Sequence, residues 1–154
     1  MNCRSPHIVA IVIILVAWLT GCNVTDQYQQ NVDDVGKQIV TEWQQLPEVA
    51  AAEYEYTHGL DLGQQIQLRA TVRAASASDA TFEKLTEVAQ KHYWQSGVRS
   101  ISIWFSVYSS DNPRGVDPKN PVQPIHDERV DINFSDQSQV AELEKKYGPR
   151  PTGK

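Results

Sequence analysis

Residues 50 to 73, AAAEYEYTHGLDLGQQIQLRATVR, contain two runs of alternating apolar and polar side chains. Alternation with a period of two is typical of β-strands that bury one face, and the glycine-bounded segment between the runs is typical of a hairpin loop. The apolar positions are Ala50, Ala52, Tyr54 and Tyr56 in the first run, and Ile66, Leu68, Ala70 and Val72 in the second. The sequence therefore predicts an antiparallel hairpin with its loop at residues 59–63.

The register of this hairpin follows from centring it on the loop. Three pairs define it: Tyr54 with Leu68 and Tyr56 with Ile66 on the buried face, and Glu53 with Arg69 on the exposed face. A slip by one residue would turn the buried side chains of one strand toward solvent. The two alternations agree in parity, which supports this register.

Two further strands are predicted downstream. The segment from Ser100 to Tyr108 is the most regular alternation in the chain, and a shorter alternation follows at Val130, Ile132 and Phe134. One face of the longer strand is apolar and carries Ile101, Ile103, Phe105 and Val107; the other carries Ser100, Ser102, Trp104, Ser106 and Tyr108.

Three helices are predicted from apolar residues at helical spacing. The first runs from Asp26 to Leu46 and is stopped by Pro47. The second begins at a Ser78 or Asp79 cap and ends near Gly97, and the third begins with Asp136 and Gln139, which resemble a capping box, and continues to Tyr147. The resulting order, αββαββα, predicts the α+β class: a four-stranded, largely antiparallel sheet with helices packed on one face.

The beginning of the chain predicts where the protein works. Arg4 precedes an apolar run from Ile8 to Leu19, the layout of a secretory signal peptide. The segment Leu19-Thr20-Gly21-Cys22 resembles the lipobox of bacterial lipoproteins. That resemblance implies diacylglycerol on the Cys22 thiol, cleavage before Cys22, and a mature protein tethered outside the cytoplasm; Asn23 in place of aspartate implies the outer membrane if the host has one.

Two other interpretations of this segment fit less well. A spanning helix needs roughly 20 apolar residues, and this run has 12. A plain secretory signal usually ends in an A-x-A-like site, which Ala17-Trp18-Leu19 does not match. The predicted organisation is a signal peptide at 1–21, a short tether at 22–31, a single α+β domain at 32–147 and a flexible tail at 148–154.

Composition limits the chemistry of the mature chain. Removal of residues 1–21 takes away Arg4 and no acidic residue, so 13 Lys and Arg would face 19 Asp and Glu. An acidic chain is a poor binder of nucleic acid and of anionic lipid headgroups, so we expect no nucleic-acid partner and membrane contact through the lipid. With Cys3 removed and Cys22 lipidated, no thiol is left for a disulfide or a nucleophile.

No local motif in the sequence indicates a reaction, a cofactor or a metal. The H-E-x-x-H, Walker, dinucleotide and G-x-S-x-G patterns are absent. His58 with Asp61, or His126 with Asp127 and Glu128, offers metal-ligand side chains without the spacing of a zinc site, so solvated loop residues are the expected alternative. We predict no catalytic residues, although a site assembled from distant residues needs no local motif.

Two features point to partner binding. The stretch 109–128 contains four prolines and is either a recognition loop or a segment that is disordered or wraps a sheet edge. The polar sheet face presents residue types that are common in interface hot spots. The alternative is that another segment, such as this loop, covers Trp104. The rarity of exposed tryptophan favours this alternative. The candidate partner-binding residues are Arg69, Arg73, Trp104 and Tyr108 on the sheet side and Arg114, Asp117 and Lys119 in the loop.

A second resemblance is to small actinobacterial lipoproteins, through residues 144–151 (EKKYGPRP) and 98–103 (VRSISI). It implies anchoring at the outer leaflet of the cytoplasmic membrane and brings no activity or active-site residues. The expected function is a lipid-anchored, non-catalytic binding or accessory module whose partner is an envelope protein or a cell-wall component. The alternatives are an inhibitor or immunity-type lipoprotein, and an envelope hydrolase that would need His126, Asp127 and a second-strand arginine in one pocket.

Overall fold

A four-stranded sheet with helices on one side forms the part of the chain that the structure, a computed structural model, describes: residues 28–59, 63–115, 119 and 121–151. The helices are α1 (Gln30–Trp43), α2 (Asp79–Gln95) and α3 (Gln137–Tyr147), with one 3₁₀ turn at Ala74–Ser76. The strands are β1 (Val49–Gly59), β2 (Gly63–Val72), β3 (Ser102–Ser109) and β4 (His126–Val130). The predicted α+β class and element order are confirmed. The predicted signal peptide and Cys22 lie outside the described residues.

The β1–β2 hairpin has the register that the sequence predicts. Tyr54 pairs with Leu68, Tyr56 with Ile66, and Glu53 with Arg69. The register shifts only at the start of β1, between Val49 and Ala51. This irregularity leaves Val49 buried and Ala50 exposed, so the alternation begins at Ala52 and not at Ala50.

The sheet has the strand order β1-β2-β3-β4 and one parallel pair. β1–β2 and β3–β4 are antiparallel, whereas β2 and β3 run parallel, with Ile66 opposite Ile103 and Leu68 opposite Phe105. A parallel pair needs a crossover, which α2 supplies between β2 and β3. The sheet is therefore largely antiparallel, as predicted.

The core lies between the sheet and the helical layer. The apolar positions of α1 that the helical spacing predicts are buried there, and the indole of Trp43 donates a hydrogen bond to the Leu85 carbonyl at 3.1 Å. The fully buried side chains of this layer include Val32, Val35, Ile39, Trp43, Ile66, Leu68, Leu85, Ile103 and Phe105. Every strand position among them faces the helices, so the sheet turns its other side away from this core.

The predicted helix caps are present. The Ser78 side chain accepts from the Thr81 amide at the start of α2, and Asp136 accepts from the amides of Ser138 and Gln139 at the start of α3. In a capping box the Gln139 side chain would accept in return from the backbone amide of Asp136. It accepts instead from the backbone amide of Asn133, at 2.6 Å.

The fourth strand and the first helix have other bounds than predicted. β4 is His126–Val130, so the Pro-rich stretch is bounded by Ser109 in β3 and His126 in β4. Phe134 is in a turn and packs on Trp94, with ring centroids 6.4 Å apart. Phe134 continues the period-two spacing of apolar residues from Val130 because its ring packs on α2, and not because it belongs to a strand. At the other end α1 begins at Gln30, and the backbone amide of Gln29 donates to the Tyr56 hydroxyl at 3.0 Å, so the last residues of the predicted tether contact the fold.

The residues just after α3, which the sequence predicts to be a flexible tail, make specific contacts with the rest of the fold. The Trp94 indole donates to the Gly148 carbonyl at 2.9 Å, and the Arg150 guanidinium donates to the carbonyls of Gly97 and Val98. The guanidinium also lies 4.0 Å from the ring centroid of Phe134. The Trp94 indole, the Phe134 ring and two carbonyls just after α2 thus hold this segment, while residues 152–154 lie outside the described residues.

The two ends of the sheet differ in what they carry. The β1–β2 turn and the start of α1 share one end, where the Tyr28 and Tyr56 rings are 5.5 Å apart. The Pro-rich segment connects β3 to β4 at the opposite end. Among the described residues no helix combines the length and the apolar character that crossing a membrane requires.

Candidate functional site

The side of the sheet that the helices leave uncovered is the candidate site, and we call it the open face. Its residues follow from strand alternation and from the pairing between strands. Two neighbouring rows of side chains cross it: Glu55, Gln67, Trp104 and Arg129, and then Glu53, Arg69, Ser106 and Asp127. Each row takes one side chain from each strand, so the open face is a grid with Trp104 near its centre.

Trp104 is the large aromatic side chain of this grid and is 42 % exposed. The Arg129 guanidinium carbon lies 5.4 Å from the indole centroid, and Arg129 Nε donates to Asp131 Oδ1 at 2.8 Å. The expectation that another segment covers Trp104 is therefore wrong. The Arg129 guanidinium contacts one side of the indole and is hydrogen-bonded to Asp131, and the ring remains accessible to solvent.

Arg69 connects β2 to β1 across the same face. Its side chain is only 14 % exposed, and its guanidinium contacts Glu55 at 3.0 Å and Glu53 at 3.8 Å. Glu53 also accepts from Arg114 of the Pro-rich segment at 3.1 Å. These charges neutralise one another, and the Arg114 contact ties the start of the Pro-rich segment to β1.

The described part of the Pro-rich segment lies over the far end of the open face. Pro113, Arg114 and Val122 help to close a pocket of about 690 Å³ against strand residues that include Thr71 and Tyr108. Tyr108 is consequently only 9 % exposed. The described part of the loop therefore lies over Tyr108, whereas Trp104, four residues earlier in β3, is not among the residues that line this pocket.

The other predicted partner-binding residues have different positions. Arg73 follows the last residue of β2 and donates from Nε to the Pro47 carbonyl at 3.0 Å, so it braces the α1–β1 connection and does not join Trp104. Lys119 is exposed. Asp117 lies outside the described residues. Of the predicted set, the structure brings Arg69, Tyr108 and Arg114 together around the pocket.

The histidine and carboxylate cluster at residues 126–128 is divided between the two sides of the sheet. His126 pairs with Val107 and stacks on Phe82 of α2, with ring centroids 4.6 Å apart, whereas Asp127 is on the open face and accepts from the Ser106 hydroxyl at 2.8 Å. The pocket that the hydrolase hypothesis requires is not formed by these residues. Within residues 28–59, 63–115, 119 and 121–151, no group of three or more His, Cys, Asp or Glu side chains is placed to hold a metal ion.

The sequence interpretation missed Arg129 and Gln67. Arg129 was missed because the fourth strand was predicted to begin at Val130, where it in fact ends. A strand that ends at Val130 places Arg129 beside Trp104. Gln67 lies in the predicted β2 alternation on the polar side, and its pairing with Trp104 depends on the parallel β2–β3 arrangement. A parallel neighbour could have been inferred from the helix between the two strands.

The open face offers an aromatic ring, an amide, hydroxyls and largely paired charges, which are groups suited to stacking and hydrogen bonding. Ser106 and Asp127 form a hydroxyl–carboxylate pair, and the histidines of the described chain lie on the helix side. A serine nucleophile needs an adjacent base, and the usual base in such a pair is histidine. When the chain is compared with known proteins, neither a protein-family model nor a curated protein matches it.

Proposed function

We propose that this protein is a lipid-anchored extracytoplasmic binding module of the cell envelope, which holds its partner on the open face and catalyses no reaction. The observation that carries the proposal is the exposed Trp104 indole, which Arg129 and Asp131 fix at the centre of a polar face. Tryptophan and arginine dominate binding hot spots because they bury large surfaces at low conformational cost. A fixed, exposed tryptophan beside an arginine is therefore best explained by contact with a partner.

The lipid anchor is the second part of the proposal. The order Leu19-Thr20-Gly21-Cys22 after an apolar run supports diacylglycerol on Cys22. Two acyl chains hold a protein firmly at a membrane, whereas one holds it only marginally. The anchor would thus supply membrane contact to an acidic chain whose charge does not favour anionic lipids.

The arrangement of the fold is consistent with display of the open face. Six residue steps separate Cys22 from Tyr28, and Tyr28 lies at the β1–β2 turn end of the sheet. The Pro-rich segment lies at the other end, about 23 Å away along β3 at 3.3 Å per residue. An anchor at Cys22 would place the pocket under this segment on the side away from the membrane.

The two alternatives have less support. An inhibitor or immunity-type lipoprotein would use a projecting loop, and the described part of the Pro-rich segment instead packs on the sheet through Arg114 and Glu53. A hydrolase would need convergent titratable groups, and His126 and Asp127 occupy opposite faces.

Photo-crosslinking in intact envelopes tests the binding function. A photoreactive phenylalanine derivative at position 104 should crosslink the anchored protein to an envelope component. The same residue at Gln38, an exposed position of α1 on the other side of the molecule, should not give this product. A variant lacking residues 112–123 should lose part of the crosslinking because the pocket rim is removed. Equal products from positions 104 and 38, or none from either, would contradict a binding role for the open face.

A further inference from the structure

We infer that the ligand of the open face is an uncharged polysaccharide strand of the cell wall, with one sugar ring stacked on Trp104. The inference rests on the proposed function and names the ligand class for the same site. Four features of the described residues carry it: the paired charges of the open face, its small apolar content, the arginine contact that restricts the indole, and its hydrogen-bonding groups.

Most charges of the open face are paired within the face, and the remaining carboxylate, Asp127, accepts a hydrogen bond from the Ser106 hydroxyl at 2.8 Å. Three arginines, Arg69, Arg114 and Arg129, each contact a carboxylate of the face or its edge at 2.8 to 3.1 Å. The whole chain has a net charge of −5. A strongly charged partner would have to displace these internal pairs, whereas a neutral ligand can bind without breaking them. The charge pattern thus favours a neutral, hydroxyl-rich ligand over a nucleic acid, a basic peptide or an anionic lipid.

The apolar content of the face is small and localised. The exposed large apolar side chains of the described chain are Tyr28, Trp104 and Ile125, and Tyr28 is at the opposite end of the sheet from Ile125. A stable protein interface buries about 800 Å² on each partner and has an apolar core. One indole ring surrounded by polar groups is a better match for a pyranose ring, which has an apolar C–H face and a rim of hydroxyl groups.

The indole is also fixed before a ligand arrives. Arg129 lies against one side of the Trp104 ring and is itself hydrogen-bonded to Asp131. Contact with Arg129 restricts the rotation of the Trp104 side chain, and a side chain that is already restricted loses less conformational freedom when a ligand stacks on it.

Hydrogen-bonding groups lie beside the Trp104 ring and farther along the open face, at distances that one sugar chain can span. The Gln67 amide, which can both donate and accept, lies beside Trp104 on β2. Farther along the face, Thr71 and Tyr108 supply hydroxyls at the pocket under the Pro-rich segment. Trp104 and Tyr108 are four residues apart on one strand, about 13 Å. A linear polysaccharide can therefore contact the ring and the pocket with a single chain.

Tryptophan fluorescence gives a direct test on the mature, lipid-anchored protein purified in detergent. Trp43 and Trp94 are buried, with 0 % and 1 % exposure, so a ligand-dependent change in emission reports on Trp104 once Trp18 is removed with the signal peptide. The probes are hexamers of β-1,4-linked N-acetylglucosamine, β-1,4-linked glucose and α-1,4-linked glucose, with purified insoluble cell wall in a sedimentation assay. We expect saturable binding of at least one hexamer and of the cell wall, and the preferred hexamer identifies the linkage.

Three variants locate the site by titration calorimetry with the hexamer that binds. Trp104→Ala should lose affinity by at least about tenfold, while Trp104→Phe should retain most of it because a flat ring remains. Gln67→Ala should lose a few-fold through the missing amide. The control, Gln38→Ala on α1, should bind like the wild type, and circular dichroism should show that all variants are folded.

Two results overturn the inference. If neither the hexamers nor the cell wall bind, or if Trp104→Ala binds as well as the wild type, the open face is not a polysaccharide site. If position 104 then crosslinks to an envelope protein in cells, the binding module stands and its ligand is a protein. If position 104 gives no specific product either, the proposed function fails together with the inference.

Discussion

Gly36 shows how one residue sets the distance between α1 and the sheet. It is buried in α1, and a β-carbon added there would lie 2.5 Å from a ring carbon of Tyr54 on β1. The Tyr54 ring cannot easily withdraw, because its hydroxyl donates to Asp33 Oδ1 at 3.1 Å. Close packing of α1 on β1 therefore depends on the missing side chain.

We predict that Gly36→Ala destabilises the protein by about 1–2 kcal/mol. Overpacking typically costs ~1–3 kcal/mol, and the better helix propensity of alanine offsets up to ~1 kcal/mol of this. Urea denaturation of the purified protein measures the change. In a Tyr54→Ala background the same substitution should be neutral or stabilising, and destabilisation of equal size in both backgrounds would show that Tyr54 is not the cause.

At this scale the sequence predicts burial better than exposure. The positions of Ile66, Leu68 and Phe105 follow from alternation alone, because an apolar side chain on the wrong face has a large energetic cost. Whether Trp104 is covered depends on the position of the Pro-rich segment in the folded protein. That is decided by single contacts such as Arg114 with Glu53, which have no periodic signal in the sequence.

Among the elements, α3 depends most visibly on its cap. Asp136 accepts hydrogen bonds from the Ser138 hydroxyl at 2.6 Å and from the amides of Ser138 and Gln139 at 2.9 and 3.3 Å. The Ser138 hydroxyl, followed by the two amides, lowers the pKa of Asp136 below the ordinary value of 3.8. The ionised carboxylate is therefore the form that stabilises the helix start.

We expect Asp136→Ala to accelerate amide hydrogen exchange in the first turn of α3 at neutral pH. In the wild type the cap acts fully above pH 3.8 and is lost as the pH falls through the lower pKa of the folded state, so the difference between the proteins should vanish in acid. Ser135→Ala, an exposed neighbour, serves as the control and should exchange normally. Unchanged protection in Asp136→Ala at neutral pH would show that the cap is not needed.

Element boundaries were predictable where local chemistry defines them. Ser78 and Asp136 mark the starts of α2 and α3, and glycines bound the hairpin loop. The fourth strand was predicted too late because Ile132 and Phe134 alternate like strand residues, although Phe134 serves a contact with Trp94 and Arg150. Alternation identifies buried side chains and does not say which neighbour buries them.

For the whole molecule, an ion-pair cluster joins the two long helices. Glu42 of α1 accepts from Lys91 at 2.9 Å and contacts His92 Nε2 at 2.7 Å, both on α2. Desolvation alone would raise the pKa of Glu42, but the hydrogen bonds from Lys91 and His92 outweigh it and hold the pKa below the ordinary 4.5. The ionised form therefore stabilises the folded state above pH 4.5, and the contribution is lost as the pH falls through the folded-state pKa.

Glu42→Gln should consequently lower the free energy of unfolding by about 0.5–1 kcal/mol at pH 7, a modest loss because the pair is partly exposed and screened. Denaturation curves at a series of pH values should converge for the two proteins in acid. A constant difference from pH 7 to pH 3 would assign the effect to packing and not to charge.

The proposed anchor makes a separate prediction in the native host. Cys22→Ala should leave an unprocessed precursor and abolish incorporation of labelled fatty acid, because the thiol is the site of diacylglycerol attachment in the lipobox pattern. Immunoblotting and lipid labelling measure both effects. Cys3→Ala, which changes only a residue of the proposed signal peptide, should be processed and labelled normally. Normal processing and labelling of Cys22→Ala would remove the anchor from the proposal.

The tether and the topology together predict how the molecule is oriented on the membrane. Six residue steps from Cys22 to Tyr28 reach at most about 22 Å, so the β1–β2 turn end of the sheet must stay near the bilayer if Cys22 is lipidated. Single thiols at Ser100→Cys, near the start of β3, and at Asp111→Cys, just beyond its end, can be labelled separately because Cys22 would be modified and Cys3 removed. Energy transfer to a lipid-bound acceptor should be stronger from position 100 than from position 111, since about 23 Å of strand separates the ends of β3. Equal transfer from both labels would mean that the sheet lies along the membrane, which would contradict an orientation that holds the Pro-rich segment away from the bilayer.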